Sequence, residues 1–324
     1  MKIWEFSGEN GQQLNSDPAL RNPVVTAMRA EAPIFEHLEF YPVVGNADSP
    51  AKDTEEVAGN EREIDEDYTG VNTTTDYASI SLKICGDKAK TDLAKIRRGQ
   101  DLAKERERKM IKVAKSVARS FTDKVFNNVA SKRKFHGIKS LIPSGQTFVN
   151  GNLTPGGSGN GAQLLLGNDN AAKMAQQKFF EQVDKTIAYV QGGPSILAMN
   201  ADLIARMTAI KSELVTFTSV QNAVGQTVNL VAYRNIPIVD PGFTNDLSGL
   251  IIPNNETCGS STDCTSLYAL KFGEEADLTA ATNVGVQVLD LGLVGVQYVT
   301  LIDFDVDIAL LNDRAVARLK GIRL

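Results

Sequence analysis

The chain has 324 residues, 42% hydrophobic and 23% charged, with 26 glycines and 11 prolines, enough for about two domains and a sizeable core. That composition excludes a disordered, fibrous or disulfide-stapled chain. The start MKIWEFSGENG lacks the apolar core of a signal peptide and no run approaches the ~18 apolar residues of a membrane span, so a cytoplasmic product with no membrane partner is expected.

The formal charge of −5 conceals a segregation. Residues 1–86 carry 16 acids and 6 bases (−10), residues 87–139 carry 17 bases and 6 acids (+11), and residues 140–324 carry −6. One basic segment between two acidic ones asks for a partner of opposite sign, either nucleic acid or another copy of the chain.

In chain order, residues 1–42 read as an arm. Prolines at 18, 23 and 33 argue against a long helix there, and IFEHLEFYPVV reads as a short strand. Ten acids lie between Asp48 and Asp76, in a stretch that ends in YASISLKIC. There Ala78, Ile80, Leu82 and Ile84 alternate with Ser79, Ser81, Lys83 and Cys85, so the segment reads as a long acidic two-stranded finger.

Ala89 to Ala130 holds no proline and one glycine, Gly99. Met110, Val113, Ala114, Val117, Ala118, Phe121 and Val125 recur at helical spacing. Unbroken, this helix would run about 63 Å and overhang the globule, unless Gly99 divides it. The first half, RRGQDLAKERERKM, has almost no apolar face and reads as solvated or laid against another chain.

Ser140 to Asn168 has no charged residue and seven glycines, the expected hinge between domains. Beyond it, two helices (NAAKMAQQKFFEQVDKTIAYVQ and ADLIARMTAIKSEL) and strands at VNLVAY, IPIVD and TSLYALKF give a mixed α and β portion. Val296, Tyr298, Thr300, Ile302, Phe304, Val306, Ile308 and Leu310 then alternate without a break, a strand of about 50 Å.

No motif in the sequence carries catalytic chemistry. GGSGNG has no preceding strand, no G-x-G-x-x-G spacing and no GK[ST], so it reads as a loop rather than a phosphate cradle. Asp303, Asp305 and Asp307 resemble the first ligands of a calcium loop, yet Ile308 and Arg314 stand where glycine and glutamate are needed, so a solvated strand face is expected. Two histidines, His37 and His136, poorly suit a metal site or a Ser/His triad, and His136 reads as a surface or packing residue. Cys258 and Cys264, in NNETCGSSTDC, are a candidate disulfide, expected as thiols in a reducing cytosol. No catalytic residue, metal or cofactor is expected.

The order of elements, with KVFNNVASKRKFHGIKSLI, GGPSILAMNADLIARM, YRNIPIVD and DVDIALLNDRAVARLKGI, resembles the major capsid proteins of tailed bacteriophages, the Hong Kong phage-type fold that encapsulins share. The resemblance implies an α+β chain with an N-terminal arm (1–42), an extended loop (43–86), a peripheral domain with a long spine helix (87–149), an axial domain (150–290), a peripheral return strand (291–311) and an axial C-terminal segment (312–324). It implies pentamers and hexamers closing an icosahedral shell around double-stranded DNA, assembled in the host bacterial cytoplasm and found in the virion. Separate scaffolding, portal and decoration proteins are the expected partners, with no scaffold fused to this chain. DNA would be contacted non-specifically if at all. The Hong Kong type member also cross-links subunits through a lysine and an asparagine; Lys83 and Lys88 are candidates for the lysine, while the asparagine and the required acid have no assigned position in this sequence.

An encapsulin-type compartment, or a nucleic-acid-binding protein using the basic helix, are the alternatives. The expected inter-subunit contact sets Asp53, Glu55, Glu56, Glu61, Glu63, Asp65, Glu66 and Asp67 of one finger against Arg97, Arg98, Lys104, Arg106, Arg108 and Lys109 of a neighbouring helix.

Overall fold

The computed structural model describes residues 1–6, 18–52, 59–68, 70, 75–152, 154–210, 215–221 and 227–324. Two sheets organise them. The first is built on the long strand Gln297–Leu310, which pairs antiparallel with Lys83–Asp92, with Gln287–Val294 and with Ala276–Thr282, while Phe40–Pro42 adds a parallel edge. Ile302, Phe304, Val306 and Ile308 form its buried face, as the alternation predicts. Towards its end the alternation stops, because Asp307 and Ala309 on the second face are buried too. The root of the finger covers them: Tyr41, Val43, Ile80, Leu82, Ala281, Ala309 and Leu311 make a small core of their own.

The long helix is shorter than its sequence window. Lys83–Asp92 is strand, Leu93–Arg97 a short helix, and Gly99 takes a left-handed φ of 88° before Leu102–Asn127 runs for 26 residues, about 39 Å. Asp101 caps that helix by accepting from the Ala103 and Lys104 N–H groups. Ala89 and Thr91 are buried while Lys88 and Lys90 are exposed, a period-two pattern hidden inside the helical window. Pairing along the long strand overrides the helix propensity of KAKTD. The helix buries Met110, Ala114, Val117, Ala118, Phe121 and Val125.

The prolines do not keep the arm from forming helix: Pro18–Glu31 is helical over 14 residues, with Pro23 inside. Pro18 stands at the first position, where a missing N–H costs nothing, and Pro23 forfeits a single hydrogen bond that packing offsets. Val24 and Met28 are buried in the first core, and Glu31 accepts from Arg119 of the long helix at 2.6 Å. The expected strand in IFEHLEFYPVV is a helical turn, Ile34–His37, with strand only at Phe40–Pro42. Phe35 stacks on Phe121 at 4.6 Å, and Phe121 meets Phe304 edge-on at 5.4 Å. The arm thus completes the core between long helix and long strand.

The second sheet has nine strands. Its main path runs Val215–Gln221, Thr227–Tyr233, Ile236–Val239, Ile196–Ala198, Ser261–Leu270, Val316–Arg323 and Thr147–Val149. A two-residue turn with left-handed Arg234 and Asn235 (φ 50° and 65°) joins the second and third of these. Helices Asn170–Ala188 and Ala201–Ile210 supply Phe179, Phe180, Val183, Leu203 and Met207 to a second core with Leu267 and Leu319. The glycine-rich stretch, expected as a hinge, contributes strands: Thr147–Val149 and Ala162–Gln163 pair in parallel with Val316–Arg323. The chain returns to the first sheet at Phe272 rather than near 291, because Ala276–Thr282 and Gln287–Val294 both pair with the long strand.

One buried carboxylate ties this sheet together. Glu256 accepts from Arg318 at 2.8 Å, Lys139 at 2.7 Å and the Ser266 hydroxyl. Burial alone would raise its carboxyl, but Arg318, Lys139 and Ser266 outweigh burial and hold it below the ordinary carboxylate range. Glu256→Gln leaves the half-buried Arg318 without its counter-charge and should lower stability by about 2–3 kcal/mol, read from urea unfolding.

Candidate assembly surfaces

The finger leaves the first sheet as a two-stranded ladder, Ala47–Asp48 against Ile80–Ser81 and Ala51–Lys52 against Asp76–Tyr77. Its described outer part, residues 59–68, is exposed throughout. Glu61, Glu63, Asp65, Glu66 and Asp67 all lie there, and none of the five is in an ion pair among the described residues. Asp53, Glu55 and Glu56 lie outside the described residues. The alternation expected through YASISLKIC changes phase: Leu82 is in no ladder and the strand restarts at Lys83, so Ile84 is 76% exposed and Cys85 is buried. Gly86 follows, where a Cβ would stand 2.3 Å from the Ile302 carbonyl oxygen, so the finger's return strand hugs the long strand.

Asp307 anchors the finger root and contradicts the expected solvated face. It is 1% exposed and accepts from the backbone N–H of Ser81 at 2.9 Å and of His136 at 3.0 Å, with His136 Nδ1 also at 3.0 Å. Burial pushes its carboxyl up, but the bonds from the His136 side chain and from the backbone of His136 and Ser81 outweigh burial and hold it below its ordinary value. The same hydrogen bond to Asp307 raises His136. Through Asp307, His136 therefore joins the loop after the long helix to finger and strand. No periodicity links residues 81, 136 and 307, and the only cue in the sequence is an aspartate on a face that turns out to be covered.

Asp303 and Asp305 stay half-buried on the open face. Burial, and then the neighbouring Asp305 charge, push Asp303 upward, while Asn283 donates to Asp305 at 2.9 Å. No group of three or more metal-ligating side chains occurs among the described residues.

The six basic positions divide. Arg97, Arg98, Lys104 and Arg108 are exposed. Arg106 pairs with Asp290 at 2.5 Å, donates to the Thr300 hydroxyl and lies 5.5 Å from the Tyr298 ring centre, and Lys109 donates to the Lys90 carbonyl at 2.8 Å. These two are committed within their own subunit, which corrects the picture of a wholly solvated first half: one side of the helix lies against the sheet through polar contacts rather than an apolar stripe.

GGSGNG does follow a strand, Thr147–Val149, but leads into another, Ala162–Gln163, not into the helix a phosphate cradle needs. Cys258 and Cys264 are buried free thiols, as is Cys85, whose thiol burial pushes up to about 11. No helix among the described residues is long and apolar enough to cross a membrane.

No protein-family model and no curated protein matches the sequence. Solved structures do match by fold. The capsid of an empty GTA particle is 15% identical, with a TM-score of 0.57 over 91% of both chains. The holo-SrpI encapsulin complex of Synechococcus elongatus is 13% identical, with a TM-score of 0.56 over 90% of this chain and 87% of that one. The procapsid of satellite phage P4 is 11% identical, with a TM-score of 0.52 over 93% and 99%. The chain has the Hong Kong phage-type capsid fold that these shells share.

Proposed function

We propose that the chain is a shell subunit, the major capsid protein of a tailed bacteriophage, assembling as pentamers and hexamers into an icosahedral container for double-stranded DNA. The observation that carries this reading is the extent of the likeness, about nine-tenths of this chain and of each shell protein it matches. The first sheet with the long helix serves as the peripheral domain, the second sheet as the axial domain, and the finger reaches a neighbouring subunit. The role is structural rather than enzymatic. Assembly takes place in the host bacterial cytoplasm, with separate scaffolding and portal proteins, and the product resides in the virion.

An encapsulin-type compartment is the second reading, favoured by an encapsulin likeness as strong as that to the GTA capsid. The basic helix as a DNA-binding element is weakened by the commitment of Arg106 and Lys109 within the subunit. Electron microscopy of the purified protein, with nuclease treatment and analysis of particle contents, separates these. Closed particles filled with DNA when co-expressed with phage packaging proteins support the capsid reading, and particles that retain protein cargo support the compartment. A monomer at every concentration and salt tested would overturn both.

A further inference from the structure

Two thiols stand apart from the main cores. Cys258 is 4% and Cys264 0% exposed, and with Val149 they form a separate apolar cluster. Both lie on one β-hairpin, Glu256–Cys258 paired antiparallel with Ser261–Leu270, in which Glu256 faces Cys264 and Cys258 faces Ser261. Cys258 is two residues from Glu256 and so points to the face that Cys264 occupies. The ladder shifts by one residue between those two pairs, and the extra residue on the second strand bends the hairpin at this point.

The glycine-rich stretch that serves no phosphate covers this pair. The Cys258 thiol donates to the Gly159 carbonyl at 3.3 Å, and the Ser260 N–H donates to the Asn160 side chain at 3.0 Å. The fit tolerates no side chain. A Cβ at Gly259 would stand 2.2 Å from Asn160 Oδ1, one at Gly161 2.3 Å from the Gly321 carbonyl oxygen, and one at Gly321 2.9 Å from Cys258 Sγ. Three glycines from three segments therefore close the backbone over two thiols that touch neither of the larger cores. Cys85 differs: it is embedded in the first core between long helix and sheet.

The geometry points to Cys258 and Cys264 as a dithiol–disulfide site that reacts with small-molecule disulfides when residues 159–161 lift from the hairpin. The Cys258 thiolate attacks one sulfur of the small disulfide, forming a mixed disulfide and expelling one thiolate. The Cys264 thiolate then attacks Cys258 Sγ, closing the internal S–S bond and expelling the second. The two protons lost by the cysteines are taken up by the departing thiolates, so two protein thiols are oxidised and one small disulfide is reduced. Access needs only a local opening, whereas Cys85 needs the first core to open. Closure also removes the S–H that donates to Gly159, so the oxidised hairpin holds its cover less firmly.

The test uses the folded full-length protein with oxidised glutathione at mildly alkaline pH, quenched by alkylation and read by intact and peptide mass spectrometry. The expected result is loss of the Cys258 and Cys264 thiols with an internal link between them, while Cys85 stays free until denaturant is added. Cys264→Ser should stop at the glutathione adduct on Cys258, and hydrogen exchange at 155–161 should rise at least several-fold in the oxidised wild type. Three results would overturn the proposal: no thiol lost over a time that bridges the urea-unfolded protein, Cys85 consumed in step with the other two, or adduct without closure in the wild type.

Discussion

A subunit carrying Glu61→Lys, Glu63→Lys, Asp65→Lys, Glu66→Lys and Asp67→Lys together is expected to fold and to fail to assemble. All five side chains are exposed, and none is in an ion pair among the described residues; Glu66 and Asp67 only accept from the Glu63 and Tyr68 backbone N–H groups of the finger itself. In the proposed shell, the expected partners of these acids are the cations of a neighbouring subunit's helix. Each exposed pair contributes little alone and is screened within about 8 Å at physiological salt. A closed shell repeats the contact in every subunit, and reversing five charges turns the whole attraction into repulsion.

Rescue must use cations that the subunit does not need for itself. Reversal at Arg97, Arg98, Lys104 and Arg108 should partly restore particles, whereas including Arg106 would break its pair with Asp290 and damage the monomer. Sedimentation and electron microscopy at low and physiological salt read assembly, and circular dichroism reads folding. Normal assembly of the finger mutant at both salts would refute the contact in trans and leave DNA as the better partner for the helix.

The parts of this fold that were legible in the sequence are those a single periodicity governs. The stripe from Met110 to Val125 and the alternation from Ile302 to Val306 both appear, because over those residues each segment buries one face. The failures have local causes. Ala89–Asp92 lay inside a proline-free helical window and was claimed by the long strand. Proline breaks a helix only in its interior, and Pro18 occupies a helix start. Ile84 and Cys85 exchanged faces because the ladder skips Leu82. The candidate site was legible as charge, since the acids from Glu61 to Asp67 are exposed as expected. It was not legible as chemistry: which cations are free depends on Asp290 and the Lys90 carbonyl, partners supplied only by the fold.

Asp307→Ala should be the most damaging single substitution, lowering stability by about 3–5 kcal/mol. It strands the Ser81 and His136 N–H donors and removes the counter-charge of His136, and it frees the finger at its root, so assembly should suffer even where the subunit still folds. Asp307→Asn keeps the shape and should cost less, which separates charge from packing. The pH dependence carries two opposite signs. The Asp307 carboxyl is lowered on folding from an ordinary 3.8, so its share is present above that value and is lost as pH falls through the folded value. His136 is raised from an ordinary 6.5, so its share is complete below 6.5 and is lost as pH rises through the raised value. The pair is therefore strongest between about pH 4 and 6.5, and the alkaline loss is softened by solvent because the His136 side chain is 34% exposed. Urea unfolding of wild type and His136→Gln across pH 5 to 9 checks this: the wild type should lose its advantage over the variant as pH rises past neutrality. A constant difference between the two across that range would show that His136 acts by packing and leave Asp307 holding the finger root through the Ser81 and His136 backbone alone.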